Sequence, residues 1–342
     1  MSRDQRSNKH LTLLPMYLLI AFLLVILGYL LFRVASFVER YTAQIGEESS
    51  DDGYAYGDER PQYRIDGRWY AVKKDLETVL LVGVDEYEIA RMDDRGYRNT
   101  AQADALCLLI LDRRQESYKV LQLNRDTMVN IRALDVEGVP YTDFVGQLAL
   151  SHTYGSGRND SVENCLWSVS DYLYGLQIDH YCSFDMQAVG KINDTIGGVT
   201  LTVSDDLTPV DATLRKGETL TLLGDHALTY IRARGGLADS TNLNRMARQR
   251  QYIAALLDGA KDAMSENEGL VNEIVLKIAD DTVTDYSAGE MLSFGDVVRR
   301  YRFDGILTVE GDARQGEEFI EFRADEEKLK KLILDTFYEA VK

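Results

Sequence analysis

From about residue 75 to the C-terminus, continuous apolar runs alternate with stretches that have helical spacing. Runs of apolar or β-branched residues occupy 79–84, 105–111 and 118–123, and the first two are apolar on both faces. Such runs are typical of central strands that helices cover on both sides. Helical spacing is found in 161–176, 184–196, 243–263 and 326–341, and a further strand is predicted over 199–203. The pattern predicts an α/β domain over 75–342, with a central mixed β-sheet covered by helices on both faces.

The N-terminal part of the chain has a different pattern. Residues 11–32 contain no charged side chain, and a helix of that length rises roughly 33 Å, enough to cross a hydrocarbon core. A cleaved signal peptide is the competing interpretation, but its apolar region is only about 7–15 residues long. Because Arg3, Arg6 and Lys9 precede the run, the positive-inside rule places the N-terminus in the cytoplasm. We predict a cytoplasmic tail over 1–10, a transmembrane helix over 11–33 and an extracytoplasmic remainder at the cell membrane.

An acidic stretch separates the apolar run from the globular part. Residues 47–59 contain six acids and no base. Because this stretch has too little apolar content to pack, we predict a solvated linker over 34–74.

The whole chain of 342 residues has a net charge of −18, which argues against nucleic acid as a partner. The cysteines are Cys107, Cys165 and Cys182; their number and wide spacing exclude a disulfide framework and a cysteine-rich zinc site.

Acidic residues lie at the ends of the predicted strands. A short polar turn over 112–117 joins the second and third strands, which should therefore form an antiparallel hairpin. A hairpin brings Asp104, before its first strand, close to Arg125 and Asp126, after its second. If the first predicted strand runs parallel to the third, Asp85 joins them at the edge where ligands of α/β sheets commonly bind. Carboxylates beside an arginine suit a hard metal ion and a phosphate; solvated turn residues are the alternative at each position.

Basic residues are concentrated in a second region. Residues 231–250 contain one acid, Asp239, together with Arg232, Arg234, Arg245, Arg248 and Arg250. Residues 230–234 alternate like a strand, which would direct Arg232 and Arg234 to the same side. A helix is predicted to begin near Asn242, and the N-terminus of a helix favours an anion. Because arginine binds phosphate through two parallel hydrogen bonds, this region predicts a phosphate-containing ligand rather than unspecific surface charge.

At these residues the chain resembles the extracytoplasmic LytR-CpsA-Psr (LCP) domain of Gram-positive envelope proteins. The matching blocks lie, in order, at 79–85, 103–106, 123–128, 175–188, 193–199, 224–234 and 244–249. The resemblance implies a phosphotransferase that moves a glycopolymer-phosphate, such as teichoic acid or capsular polysaccharide, from an undecaprenyl-pyrophosphate carrier to peptidoglycan. It also implies a single-pass membrane protein whose catalytic domain lies outside the cell.

The resemblance further implies roles for the site residues. Asp85 and Asp104 match positions that hold Mg²⁺ or Mn²⁺ on the pyrophosphate. The predicted phosphate-binding residues are Arg125, Arg232, Arg234, Arg245 and Arg248, and the predicted catalytic residues are Arg125, Asp126, Arg232, Arg234 and Asp239. Attack of a sugar hydroxyl on phosphorus builds negative charge on oxygen, which a metal ion and arginines stabilise. A carboxylate could accept the proton of that hydroxyl, and the sequence does not identify which one.

The chain departs from the family pattern in the same blocks. Glu86 follows Asp85 where the family often has arginine, and 103–106 lacks the family's serine and threonine around Asp104. Asn242 stands where relatives have a carboxylate, which is lost unless Asp239 replaces it. These departures keep an alternative open, in which the protein is a non-catalytic polyprenyl-phosphate-binding, scaffold or regulatory protein of the envelope.

Overall fold

The computed structural model describes residues 55–56, 61–65, 67–87, 91–93, 96–98, 101–135, 138–233 and 242–341. The predicted cytoplasmic tail and transmembrane helix, and the candidate residues Arg234 and Asp239, lie outside these ranges. Within the ranges described, the helices are all too short or too polar to span a membrane. The membrane topology therefore stays a prediction.

The described ranges form the following elements. The strands are β1 (Ala55–Tyr56), β2 (Pro61–Ile65), β3 (Arg68–Val72), β4 (Leu76–Val84), β5 (Arg91–Asp93), β6 (Gly96–Arg98), β7 (Ala103–Asp112), β8 (Ser117–Leu123), β9 (Met128–Leu134), β10 (Pro140–Gln147), β11 (His180–Phe184), β12 (Val199–Thr202), β13 (Thr219–Leu222), β14 (Thr282–Thr284), β15 (Arg302–Thr308), β16 (Gly311–Gln315), β17 (Ile320–Ala324) and β18 (Tyr338–Val341). The helices are α1 (Asn159–Tyr172), α2 (Met186–Thr195), α3 (Asp225–Arg232), α4 (Asn242–Glu266), α5 (Leu270–Ile278), α6 (Ala288–Arg300) and α7 (Glu326–Phe337), with 3-10 helices at Leu148–Thr153 and Ala279–Asp281.

The described residues divide into two compact units, one up to residue 71 with 340–341 and the other within 72–339. The first contains a small sheet of order β1-β2-β3-β18, in which β2 and β3 form an antiparallel hairpin. The prediction of a solvated linker over 34–74 is therefore wrong where β2 and β3 lie. The reason is local composition, because Tyr63 pairs with Tyr70 and Arg64 with Trp69, and aromatic residues of this kind favour strands.

The second unit is built on a mixed sheet of order β14-β11-β4-β7-β8-β15. β7 and β8 form the predicted antiparallel hairpin, with Leu106 opposite Leu123 and Asp112 opposite Ser117. β4 is also antiparallel to β7, so β4 and β8 run in the same direction, which is the condition for Asp85 to join Asp104 and Arg125 at one edge. Parallel pairs join β11 to β4 and β15 to β8. The ends of β4 and β8 and the start of β7 consequently share one edge of the sheet.

Helices cover both faces of this sheet, as predicted. Alternate residues of β7 contribute to two separate cores, because successive side chains of a strand point to opposite faces. Leu106, Leu108 and Ile110 pack in the core formed with α1 and α7. Cys107, Leu109 and Leu111 pack in the core formed with α4, α5 and α6. The continuous apolar run over 105–111 is therefore explained by burial on both sides.

The segment predicted as a strand over 230–234 is a helix instead, as far as Arg232. Ala227, Tyr230 and Ile231 form the buried face of α3 at spacings of three and four residues. They pack in a further core with β12, β13 and α4. A window of five residues is too short to separate a period of two from a period of 3.6. The alternation of residues 230–234 therefore predicted a strand where the chain forms a helix.

Candidate functional site

A cavity of about 590 Å³ opens at the shared edge of β4, β7 and β8. Its wall along the strands and helices is mainly apolar and includes Leu81, Cys107, Leu109, Val120, Phe184, Ile253, Leu257, Phe294 and Val298. Its polar end holds the predicted site residues Asp85, Asp104, Arg125, Arg232 and Arg245, together with Gln102. The cavity thus joins an apolar chamber to a group of arginines and carboxylates, on the side of the sheet that α4 and α6 cover.

Asp104 lies between two arginines at this polar end. Arg125 Nη1 forms an ion pair with Asp104 Oδ1, and Arg245 Nη1 lies 3.3 Å from the same oxygen. Arg245 Nη2 also donates to the backbone oxygen of Asp104 at 3.3 Å. All three side chains are mostly shielded from solvent. Such charge-assisted contacts are strong and directional, so they fix the direction in which both guanidinium groups face the cavity.

The turn after β8 holds Arg125 in place through its backbone. The carbonyl of Arg125 accepts from the N–H of Ala149 at 2.9 Å, in the 3-10 helix. The carbonyl of Asp126 accepts from Phe322 N at 2.8 Å, in β17. The Asp126 carboxylate accepts from Gln147 Nε2 at 3.2 Å and lies 3.6 Å from Arg125 Nε. Asp126 is buried and is not among the described residues that line the cavity, so the structure places it behind Arg125, where it orients that side chain.

Asp85 and Arg232 form a second pair at the cavity. Arg232 Nη2 lies 3.2 Å from Asp85 Oδ1, and both side chains are about half exposed. Arg232 is the last residue of α3, whereas Asp85 directly follows β4. Because this pair faces solvent, a ligand phosphate can reach Arg232 without displacing packed side chains.

Arg248 does not reach the cavity, and its predicted role in substrate binding is wrong. Its guanidinium is buried and donates to the carbonyls of Tyr230, at 3.2 Å, and Ala233. Nη1 also lies 3.1 Å from Asp205 Oδ2. These carbonyls belong to the end of α3, where backbone oxygens lack partners within the helix. Arg248 therefore joins α4 to the C-terminus of α3, a contact that depends on tertiary packing and leaves no local sequence signal.

Asn242, where the family pattern has a carboxylate, lies beside Arg245 at the start of α4. Its Oδ1 accepts from Arg245 Nη2 at 2.8 Å, and its Nδ2 donates to Asn124 Oδ1 at 2.8 Å. An amide can do both because it carries an acceptor and donors.

The sequence analysis did not identify Gln102 as a site residue. Its Oε1 accepts from Arg125 Nη2 at 2.5 Å. Its position two residues before Asp104 is the available signal, since such residues share a face in an extended chain.

The carboxylates of Asp85 and Asp104 both line the cavity, each paired with at least one arginine. The described ranges contain no group of three or more histidine, cysteine, aspartate or glutamate side chains that could hold one. Mg²⁺ is commonly bound by one or two carboxylates, with substrate phosphates and water completing its shell. The residues therefore fit a divalent ion that arrives with a phosphate ligand, rather than a metal centre made entirely by the protein.

Comparisons with known proteins identify a family and several relatives. The profile of the LytR_cpsA_psr family matches residues 40–334. The polyisoprenyl-teichoic acid–peptidoglycan teichoic acid transferase TagT from Bacillus subtilis is 30% identical over 200 residues, 56% of this chain and 55% of the relative. The transferase of the same description called TagU, from Halalkalibacterium halodurans, is 29% identical over 174 residues, 49% of this chain and 51% of the relative. The chain thus spans about half the length of these curated relatives.

Solved structures share the fold. A structure of TagT bound to LI-WTA superposes with a TM-score of 0.56 at 20% sequence identity, over 77% of this chain and 91% of that one. The structure of Bacillus subtilis TagV gives a TM-score of 0.56 at 20% identity, over 77% of this chain and 98% of that one. At this identity the likeness concerns the fold alone, and the chemistry rests on the cavity residues.

Proposed function

Because the chain belongs to the LytR_cpsA_psr family, we propose that it transfers a glycopolymer-phosphate from a polyprenyl-pyrophosphate carrier to peptidoglycan. The observation that carries the proposal is the continuity of an apolar chamber with a polar end that holds Asp85, Asp104, Arg125, Arg232 and Arg245. The chamber suits a hydrocarbon tail, and the arginines suit a pyrophosphate. The names of the relatives, which are teichoic acid transferases, support the same substrate class.

The polar end is adapted to bind phosphate oxygens. Guanidinium groups outnumber carboxylates among the described residues there, three against two, in a chain whose net charge is −18. Arg125 and Arg245 are already oriented by Asp104, so little reorganisation is needed when charge develops during the reaction. Arg232 is free to turn from Asp85 towards a ligand because that pair is half exposed.

Asp85 and Asp104 would hold a divalent ion, Mg²⁺ or Mn²⁺, against the pyrophosphate. When bound, the ion supplies positive charge that neutralises the phosphate oxygens. The carboxylates of this chain would orient it, while the arginines bind the remaining oxygens. This assignment rests on the shared position of both carboxylates at the cavity and on their hard oxygen ligands.

The proposed reaction exchanges a phosphoanhydride bond of the carrier for a phosphoester bond to the acceptor. A hydroxyl oxygen of the acceptor forms a bond to the phosphorus that carries the glycopolymer. The bond from that phosphorus to the polyprenyl phosphate breaks, and polyprenyl phosphate leaves. The hydroxyl proton passes to a carboxylate, while Asp239 remains a predicted catalytic residue and Arg234 a predicted phosphate ligand.

A second candidate function is binding of polyprenyl phosphates without turnover. Asn242 favours it, because an amide that is hydrogen-bonded to Arg245 and Asn124 cannot accept a proton as a carboxylate does. Both functions require the same chamber and the same arginines. They differ in what happens to the bound phosphate when an acceptor and a metal ion are present.

The test uses the full chain with a polyprenyl-pyrophosphate glycan and a soluble peptidoglycan fragment. We expect release of polyprenyl phosphate that requires both the fragment and Mg²⁺ and that stops when the metal is chelated. Tight binding of the carrier without release at any metal concentration would replace the transferase by the binding function. If Asp239 is the base, Asp239→Asn slows release and leaves carrier binding unchanged.

Arg232→Ala should weaken carrier binding under either function. Loss of a charge-assisted hydrogen bond reduces affinity by about tenfold, and removal of a half-exposed side chain leaves the fold intact. The matched control is Arg215→Ala, since Arg215 is exposed and paired with Glu218, 3.8 Å away. An equal loss of affinity in both variants would count against a specific phosphate contact at Arg232.

A further inference from the structure

We propose that a second pocket binds the carbohydrate acceptor, an inference that rests on the proposed function. This pocket has a volume of about 230 Å³, and its lining includes Asn130, Asp171, Tyr172, Tyr174 and Glu326. It lies where the end of α1, the start of α7 and the β9–β10 hairpin meet. Helices α1 and α7 pack on one face of the central sheet, whereas the phosphate-binding cavity lies on the other face. The two substrates would therefore enter from opposite faces of the sheet and meet at its edge, at the turn that follows β8.

The lining has the chemistry of a sugar site. Tyrosine rings present apolar faces that pack on the carbon-bearing face of a pyranose, with a hydroxyl at the rim. Carboxylate and amide groups accept and donate the hydrogen bonds that fix sugar hydroxyls. None of the described residues that line the pocket is basic, and Asp171 and Glu326 are acidic. The pocket consequently disfavours a phosphate and suits a neutral or amino-bearing glycan.

The polar groups of this pocket include two hydrogen-bonded pairs that a ligand can extend. Asn130 Nδ2 donates to Asp171 Oδ2 at 2.9 Å, and the Tyr174 hydroxyl donates to Glu326 Oε2. The hydroxyl of Tyr172 is shielded from solvent and has no hydrogen-bond partner among the described residues. Burial raises the pKa of Tyr172, so it remains a donor at every physiological pH. A shielded donor of this kind is uncommon in proteins unless a ligand or water satisfies it.

The backbone at Tyr174 indicates that its side chain is needed. After α1, the N–H of Gly175 donates to the carbonyl oxygen of Ser170 at 2.8 Å. The N–H of Tyr174 donates to the carbonyl oxygen of Asp171 at 3.1 Å. This is a Schellman motif, whose left-handed position is usually occupied by glycine. Here that position is Tyr174, with φ of 58°. A large residue at positive φ is unfavourable, and such departures from local preference concentrate at functional sites.

The pocket and the phosphate-binding site are neighbours along the chain. Met128 lines the pocket, three residues after Arg125, so their Cα atoms are at most about 11 Å apart. The intervening turn is held by the 3-10 helix and by β17. A glycan seated on Tyr174 could therefore extend past Met128 to bring a hydroxyl to the phosphate that Arg125 binds.

The test compares Tyr174→Gly with the wild type. Glycine tolerates positive φ, so the variant keeps the backbone and loses only the ring and its hydroxyl. The probe is a tetramer of β-1,4-linked N-acetylglucosamine, titrated by calorimetry in the absence of carrier lipid. We expect at least about fivefold weaker binding in Tyr174→Gly, since aromatic contacts of this kind each contribute measurably. Tyr141→Ala is the matched control, because Tyr141 is 68% exposed on β10 and outside the pocket lining.

A second measurement separates this proposal from the proposed function. In the transfer assay, Tyr174→Gly should raise the KM for the peptidoglycan fragment by a similar factor and leave carrier binding unchanged. The acceptor site is refuted if the wild type does not bind the tetramer, or if Tyr174→Gly binds it as tightly as the wild type. If the tetramer binds at Tyr174 but no transfer occurs, the carbohydrate site stands and the transferase function fails.

Discussion

His152 is a buried histidine that supports the polar end of the cavity. Its Nδ1 lies 2.9 Å from the backbone oxygen of Ala101, in the segment that leads to Gln102 and Asp104. Burial lowers the pKa of His152 below its ordinary value of 6.5, outweighing the contacts with Ala101 and Asp160 that raise it. The native protein therefore holds this imidazole neutral under mildly acidic conditions, whereas the unfolded chain protonates it.

This difference predicts a loss of stability as the pH falls. The unfolded state binds the extra proton below pH 6.5, the ordinary value, so the contribution of His152 is complete above that pH and decreases below it. Between pH 7.5 and pH 5.5 the loss amounts to at most about 1.4 kcal/mol. Urea unfolding at both pH values should show a smaller decrease for His152→Gln than for the wild type. The control His226→Gln, at a half-exposed histidine, should retain the decrease, and an unchanged decrease in His152→Gln would contradict the argument.

Single residues of the site could be predicted where strand geometry decides their position. Asp104 and Arg125 were expected at one edge because a hairpin brings them together, and Asp85 was expected there if the first strand runs parallel to the third; all three line the cavity. Arg248 could not be assigned in this way. Its spacing from Arg245 suits one helix face, but the packing of α3 against α4 directs its guanidinium to the carbonyls of Tyr230 and Ala233.

At the scale of elements, Arg248 connects two helices, and its loss should affect stability rather than binding. Arg248→Ala leaves the Asp205 carboxylate and the carbonyls at the end of α3 without their donor. Removing one member of a buried charged network costs about 3 kcal/mol. Urea unfolding should show that decrease for Arg248→Ala and almost none for Arg232→Ala, whose side chain is half exposed. If Arg248→Ala instead keeps full stability and loses carrier binding, the assignment of Arg248 to the fold is wrong.

Elements with long or unbroken patterns were predictable, and short ones were not. The predicted helix over 184–196 corresponds to α2, which is followed by Gly197 and Gly198 with φ of 88° and 93°. The helix predicted over 326–341 ends at Phe337 because its last residues form β18. β14 to β17 and α6 were not predicted. Most of those strands have exposed or mixed positions, so neither face gives a clear period.

For the whole molecule, the architecture was predictable because the sheet is buried on both faces. The second pocket was not predictable, for a different reason. The central strands carry apolar side chains on both sides, which is a signal that survives in the sequence. The second pocket, in contrast, joins α1, α7 and the β9–β10 hairpin, which are far apart along the chain. Its polar and aromatic residues have ordinary neighbours in sequence, and only the fold brings them together.

The proposed transfer also depends on the orientation of the chain in the membrane, and this is the remaining prediction for the whole chain. If the carrier presents its glycan outside the cell, the residues that bind the phosphate must lie outside as well. The uncharged run over 11–32 and the basic residues before it favour a cytoplasmic tail over 1–10 and an outer domain. Protease added to intact protoplasts that produce the full chain should therefore digest the domain, while a tag placed before residue 1 should be spared until the cells are lysed. Protection of the domain in intact protoplasts would rule out this topology, and with it access to the proposed acceptor.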